Sequence, residues 1–576
     1  MNQEPEQKQR LEMRLRELAD RRREILSLPP EKALARIINE RQPLPLVHSF
    51  PEEDFYFLIH DIGLGDSIEL LGMASDRQWE YLFDAEIWHR DHVLLPAVTR
   101  WMSLLMKADP DRLIRWAAHG KVDLTEYYLF RNIEVAVREH DQDPADLGDG
   151  FVTEDDVFYV RFRDLPPRPD SDSGDGEDRE TFLSGFLKRL SDYDHIRYQQ
   201  ILLESASIIP AEAEEELYRL RNVRRAEKGF QPAEEAVGIY QPILPDALRH
   251  MPRKVIAFPE PDAVRLPVPL YPASVLEGDN LFTRALATID GAGILGQLQT
   301  EFAGLCNQIL SADQQVIRDR GELRQVVRKA CGYMSIGLDA LTDGATEEKT
   351  TGRAASLIKN YPLFQIFRTG YGQALELKWR AERWFRESWL RSRELPLSFW
   401  GEEWLGVLGG LLIKKPLFFD NYETGKIYRE FESVADIRRT AAVLDEIVAA
   451  DTLFGLTDLP TQAPTDRMVI WQNWLLTLWA REQIGLEPGV FSIPLNRFRP
   501  FFRDLWTGEG SHRTIRDTVR TDFLNWLSHK TGLPDHEVSL RLGNRLEALF
   551  RAVESEYGPV ADKDLDPRYV PHFLLA

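Results

Sequence analysis

Between Ser27 and Phe130 the chain repeats one local pattern, and that pattern limits what it can build: short amphipathic helices, each opened by a cap and closed by a turn. Ser27-Leu28-Pro29-Pro30-Glu31 precedes an apolar face of Ala33, Leu34, Ile37 and Ile38. Ser49-Phe50-Pro51-Glu52 precedes Phe55, Leu58 and Ile59, and Ser75-Asp76-Arg77-Gln78 precedes Trp79, Leu82 and Phe83. At Ser49 and Ser75 a hydroxyl oxygen can accept a helix-end N–H while Glu52 or Gln78 reaches back to the cap. Pro30 and Pro51 suit a first turn, where a missing N–H costs nothing. Asp109-Pro110 opens the next face, Leu113, Ile114, Trp116 and Ala117. Helices this short are unstable alone. Stacked pairs that share a core answer that difficulty, which is how solenoids are built.

The starts Leu28-Pro29-Pro30-Glu31 and Phe50-Pro51-Glu52-Glu53 make residues 28–130 similar to the cytosolic N-terminal domain of magnesium-channel proteins and to the middle segments of the flagellar rotor switch protein. That resemblance implies a right-handed helical superhelix. It does not imply transport, since neither nucleotide-binding-like modules nor a membrane pore follow. Over the whole chain, the blocks Trp79–Asp91, Arg221–Tyr240 and Asp566-Pro567-Arg568-Tyr569-Val570 resemble a bacterial family of unknown function. This second resemblance implies relatives without supplying an activity.

A chain of 576 residues has room for roughly three to five core-sized units. Its apolar fraction of 43% excludes a disordered chain. Cys306 and Cys331 are too few for a disulfide framework and point to a reducing compartment, hence a cytoplasmic location. The charged stretch Glu4–Arg10 is no signal peptide. The longest apolar run, Leu405–Ile413, is far short of the ~20 residues a spanning helix needs, so no membrane insertion is expected. A net charge of −22 opposes nonspecific binding to nucleic acid.

Taken in order, residues 1–26 read as a capping helix with Leu11, Leu15, Leu18 and Ile25 on one side, and 27–138 as the helical-repeat domain. Residues 139–180 are acidic and irregular. Within them Val157–Phe162 is the best strand candidate, Thr153–Asp156 an alternative helix cap, and Pro166–Glu180 a linker. Residues 181–240 are helical and carry an Arg/Glu cluster. Residues 241–280 are a proline-rich connector, and 281–576 a C-terminal helical domain. The fold class is therefore all-α: a superhelical, solenoid-like N-terminal part, then a second helical domain, with at most a small strand element near 157–162.

Glu86-Ile87-Trp88-His89-Arg90-Asp91-His92 is the most metal-like cluster. On a helix, Glu86 with His89, and His89 with His92, would share a side, as ligand pairs do in carboxylate-bridged diiron sites. The nearest echo, Asp192-Tyr193-Asp194-His195, has the wrong carboxylate. Ordinary surface histidines beside a buried Trp88 are the favoured reading. Gly291-Ala292-Gly293-Ile294-Leu295-Gly296 matches a dinucleotide fingerprint by letter, but no strand precedes it, so a glycine break between helices is expected. Asp170, Asp172 and Asp175 suggest a calcium loop whose frame fails at Gly174 and Thr181. Gly332-Tyr333-Met334-Ser335-Ile336-Gly337 misses the serine-elbow spacing.

Lys378–Arg393 mixes cations with Trp379, Trp384 and Trp389, as single-strand binders do. The tryptophans lie five apart, so they fan around a helix, and docking against an acidic neighbouring helix is the expectation. Arg219, Arg221, Arg224, Arg225 and Lys228 precede the Gly229 turn, with Glu234 and Glu235 after it. Arg221 and Arg224 facing Glu234 and Glu235 read as a structural ion-pair lock, with an anion site as the functional alternative.

These observations point to a non-catalytic cytoplasmic scaffold or adaptor that binds other proteins, with no cofactor. The alternatives are a metal-dependent enzyme or divalent-cation-responsive regulator using Glu86, His89 and His92, and a nucleic-acid binder through 378–393. Partner identity and oligomeric state are not encoded in any pattern found.

Overall fold

The computed structural model describes residues 3–164, 175–255, 279–315, 317, 319–342, 347–461, 468–487, 489, 492–508 and 513–576. It is 70% helical, with a few short strands in small sheets, an all-α protein. Asp170 and Asp172 of the rejected calcium loop, the 166–174 part of the linker and most of the proline-rich connector lie outside the described residues, while Asp175 and Thr181 fall on the helix Asp175–Tyr193.

The N-terminal helices run Gln3–Ser27, Pro30–Ile38, Pro43–Ser49, Glu52–Ile62, Ile68–Met73, Asp76–Glu86 and Leu95–Ala108. Each packs on the next but one: Pro30–Ile38 on Glu52–Ile62, Pro43–Ser49 on Ile68–Met73, and Glu52–Ile62 on Asp76–Glu86. Alternation of this kind lets short elements bury their faces jointly. The Ser75 cap forms as expected, with Gln78 N donating to its Oγ and Ser75 N donating to Gln78 Oε1. Gln78 Nε2 also donates to Val47 O and Phe50 O at 2.9 and 3.1 Å, which a glutamate could not do. Asp109 caps Pro110–Arg115 through Arg112 N. The Ser49 cap does not form. Ser49 ends its own helix, its hydroxyl donating to Leu46 O, and Pro51 stands at the cap of Glu52–Ile62 without a side-chain bond. Glu52 is drawn instead to Lys228 Nζ, 2.7 Å away.

Phe158–Phe162 is a strand, as its β-branched and aromatic run predicts. It is the centre of a three-stranded antiparallel sheet, between Ile133–Val137 and Val152–Thr153. Thr153–Asp156 makes the hairpin turn and not a helix cap: Asp155 accepts from Val157 N and Phe158 N at 3.0 and 2.8 Å. The Ile133–Val137 partner was hidden behind the helical run before it.

Helices His195–Ser207 and Pro210–Ala226 return the chain across Val122–Asn132, while Asp175–Tyr193 packs on Leu95–Ala108 and Pro110–Arg115. After the connector, Ala292–Asp313, Arg320–Thr342 and Leu363–Glu387 form the centre of the second half. Gly291, with φ of 108°, opens the first of these behind another helix, so the glycine run is a break between helices. Arg320–Thr342 and Leu363–Glu387 touch backbone to backbone. A Cβ on Gly370 would lie 1.8 Å from Tyr333 O, and one on Gly337 would lie 2.3 Å from Ile366 O. Within the same stretch Ser335 is buried and accepts from Phe282 N at 3.2 Å, a packing role. Buried apolar side chains from Leu18 to Leu575 form one connected core. No helix among the described residues is long and apolar enough to cross a membrane.

Candidate functional site

The Pro210–Ala226 helix lays its arginines against Asp76–Glu86. Arg224 grips Asp84 with two bonds, Nε to Oδ2 at 2.8 Å and Nη2 to Oδ1 at 2.7 Å, and reaches Glu80 at 3.3 Å. Arg221 is buried, donates to Asp84 O at 2.9 Å and packs over the Trp88 ring at 5.1 Å. Burial, with Arg225 adding to it, pushes the Arg221 guanidinium down to about 9. Arg221 and Arg224 thus share a face, as their spacing predicts, but the expected partners are displaced. Glu234 and Glu235 are exposed on Ala233–Ala236, where Ala236 takes the buried position. The arginines look back toward residue 84, not forward across the Gly229 turn. That turn, with φ of 79°, delivers Phe230 to the core.

Past the helix, Lys228 Nζ sits 2.7 Å from Glu52 and 3.3 Å from Glu53. Burial raises the Glu53 carboxyl, and Lys228 works against it. The same burial disfavours the Lys228 ammonium, but Glu53 and Glu52 outweigh it and raise its pKa.

Between these charges and the second half lies a cavity of about 80 Å³. Glu53, Phe57, Tyr81 and Asp84 line it from the N-terminal helices, Arg225 and Phe230 from the Arg-rich segment, and Asn307, Leu310, Gln315 and Leu323 from beyond the connector. Its acids are engaged: Asp84 by Arg224, Glu53 by Lys228. Asn307 Nδ2 donates to Lys228 O at 2.8 Å. Among the described residues, neither the Arg225 guanidinium nor the Tyr81 hydroxyl has a hydrogen-bond or ion-pair partner. Arg225 rests on the Phe230 ring at 4.4 Å, and burial lowers its pKa. Burial first and Glu53 next push the Tyr81 hydroxyl well above the usual phenol range.

A second charged cluster centres on Asp313, at the end of the helix that gives the cavity Leu310. Lys329, almost fully buried, bridges Asp313 at 3.0 Å and Glu430 at 2.8 Å. Tyr240 Oη and Lys415 Nζ also donate to Asp313, and Tyr333 Oη donates to Glu430 at 2.9 Å. Burial would raise Asp313, but the two lysines and Tyr240 hold it below the usual carboxylate range. Every charge here has an opposite beside it, as a structural tie requires.

The structure does not gather Glu86, His89 and His92. Their helix ends at Glu86, and Trp88–His89 with His92–Val93 makes a small hairpin, so the helical face they would have shared does not exist. Glu86 is buried, accepting from Tyr56 Oη at 2.6 Å, with His60 3.4 Å away. His89 and His92 are exposed, and His92 lies 3.4 Å from Glu214. Among the described residues no group of His, Cys, Asp and Glu is arranged to hold a metal ion.

In Lys378–Arg393, Trp384 and Trp389 turn inward to an aromatic core with Trp400, Phe399 and Trp474. Only Trp379 is exposed among those tryptophans. Arg380 pairs with Asp445 on Val434–Gly455, the acidic neighbour expected from the sequence.

A family model described as Family of unknown function (DUF6178) matches residues 9–576. The chain belongs to this family. No curated protein and no solved structure matches the chain. The DUF6178 match takes in every residue that lines the cavity, on both sides of the connector. The sequence reading of this DUF6178 chain missed Glu53, Tyr81, Asp84 and Asn307 as site residues. Their one local signal was Glu80 and Asp84, acids four apart on a helix and so on one face.

Proposed function

We propose that the chain is a non-catalytic binding protein that holds a small molecule in the cavity between its two helical halves. One observation carries this reading: the cavity's acids are all paired, while Arg225 and Tyr81 face it with donors unspent. A concave, largely apolar site with a few convergent polar groups is the usual form of a ligand pocket. Its walls come from both sides of the connector, so an occupant would tie the halves together. The test is a thermal-shift screen of small metabolites against the wild type and against Ala303→Phe, which fills the cavity from a buried wall position. Compounds that stabilise the first and not the second support the reading. A screen without such a compound removes it.

A second reading, a scaffold or adaptor for other proteins, is favoured by a separate observation. Ile196 and Leu203, 69% and 56% exposed, lie seven apart on His195–Ser207 and so share an outward face. The alternating packing of the N-terminal helices supports the same reading, since stacked helices present long surfaces. A cross-linked partner lost on Ile196→Asp and Leu203→Asp supports it. A partner indifferent to both substitutions argues against this face.

A further inference from the structure

We infer that the cavity takes a short-chain aliphatic monocarboxylate, gripped at its carboxylate by Arg225 and Tyr81. The inference rests on the small-molecule reading above and names the ligand's chemistry. Arg225 is half-buried and makes no hydrogen bond or ion pair among the described residues, so its N–H groups are free for an anion that enters the cavity. The fork geometry is right. Arg225 Cζ lies over the Phe230 ring at 4.4 Å, a contact that uses none of its N–H groups and leaves the fork for a bidentate carboxylate. Tyr81 lines the same space, and its hydroxyl can donate to an anion.

Charge narrows the ligand further. Asp84 and Glu53 also line the cavity, Asp84 paired with Arg224 and Glu53 sharing Lys228 with Glu52. Among the described residues Arg225 is the one lining cation, so a single negative charge is matched. A phosphate dianion would carry a second charge toward two carboxylates, which repel it. A ligand cation would meet Arg225 and find no free acid. The remaining wall, Phe57, Leu310 and Leu323, is apolar and suits a hydrocarbon tail. Size sets the tail's length. The space is about 80 Å³, against roughly 150 Å³ for a cavity that admits benzene. At about half that size the space leaves room for a tail of a single methyl group, as in acetate.

The experiment is calorimetric titration of the full chain with sodium acetate, inorganic phosphate, ethylamine and ethanol at fixed ionic strength. Acetate should bind and raise the melting temperature with concentration, and the other three should not. Arg225→Met should abolish acetate binding while melting at or above the wild type, because it removes an unpaired, half-buried cation. Arg225→Lys keeps the charge and loses the fork, and should weaken acetate about tenfold or more. It also serves if Arg225→Met does not fold. Tyr81→Phe should weaken acetate by a smaller factor. Acetate affinity unchanged in Arg225→Lys overturns the inference. So does ethanol, ethylamine or phosphate binding in place of acetate. If those bind the wild type and not Ala303→Phe, the small-molecule reading stands without the carboxylate. If nothing binds, both fall together.

Discussion

Arg224 holds Asp84 through both carboxylate oxygens, at 2.8 and 2.7 Å, from 140 positions further along the chain. The pair fastens the Arg-rich helix to the N-terminal stack and forms one wall of the cavity's surroundings. Removing Arg224 leaves Asp84, whose side chain is 10% exposed, without its cation. Arg224→Ala should therefore cost about 2–3 kcal/mol, below the full price of a buried break because Arg224 itself is partly solvated. Asp84→Ala should cost a similar amount, and the double variant less than the sum. Glu235→Ala, at an exposed site, should stay within about 0.5 kcal/mol of wild type. Urea unfolding of the four proteins measures all of this. Additive costs for Arg224→Ala and Asp84→Ala would mean that the pair contributes no coupling.

The Lys329 cluster predicts a contrast between two lysines on one aspartate. Lys329 is 7% exposed and bridges two acids, whereas Lys415 is 32% exposed. Lys329→Ala leaves Glu430 without a cation and Asp313 with Lys415 alone in a poorly solvated site, and should cost about 3 kcal/mol. Lys415→Ala should cost ~1 kcal/mol or less, since water can replace it. Equal melting temperatures for the two variants would refute the burial argument.

Glu126 gives a pH dependence with a definite sign. Burial first, then Asp123 and Glu204, raise its carboxyl from 4.5 to about 7. A raised folded pKa means that the folded state binds the proton more tightly than the unfolded chain. Its contribution to stability is complete below about pH 4.5 and is lost as pH rises through about 7. Glu126→Gln has no proton to lose. Its stability relative to wild type should therefore rise between about pH 5 and about pH 8. Denaturant midpoints at those two values check this, and a difference that stays flat with pH would count against a raised Glu126.

Much of the helical pattern was legible because it is local. The Ser75 box, the Asp109 cap and the Gly291 break each depend on residues within one turn of each other. The Phe158–Phe162 strand was legible for the same reason. Ser49 looked like the same signal, but Glu52 had a long-range competitor in Lys228, which no local rule contains. The candidate site was legible only by half. Arg221, Arg224 and Lys228 stood out as a run of cations, while their partners sit more than a hundred positions earlier. Glu234 and Glu235 were chosen because they were near in sequence, and proximity across a turn does not fix where a helix face points. Glu86, His89 and His92 failed at one residue: the helix ends at Glu86, and their shared face ends with it.

The Gly332–Gly337 run, which chemistry rejects as a serine elbow, is explained by packing. Gly337 and Gly370 are where two long helices meet backbone to backbone. A methyl group on Gly370 would lie 1.8 Å from Tyr333 O and 2.8 Å from Gly337 N. Both obstacles are main chain, so no rotamer change relieves them, and the helices must separate. Gly370→Ala should thus fall at or above the upper end of overpacking costs, about 3 kcal/mol. Gly352 is the control: it lies inside the Glu347–Asn360 helix, and a Cβ there meets nothing within 4 Å. Gly352→Ala should stabilise by about 0.5–1 kcal/mol, because alanine loses less backbone freedom in a helix. The two substitutions are the same chemical change in the same secondary structure, so helix propensity alone predicts a gain from both. Opposite signs in urea unfolding would assign the difference to the crossing, and a gain at Gly370 would show that the helices are not in contact there.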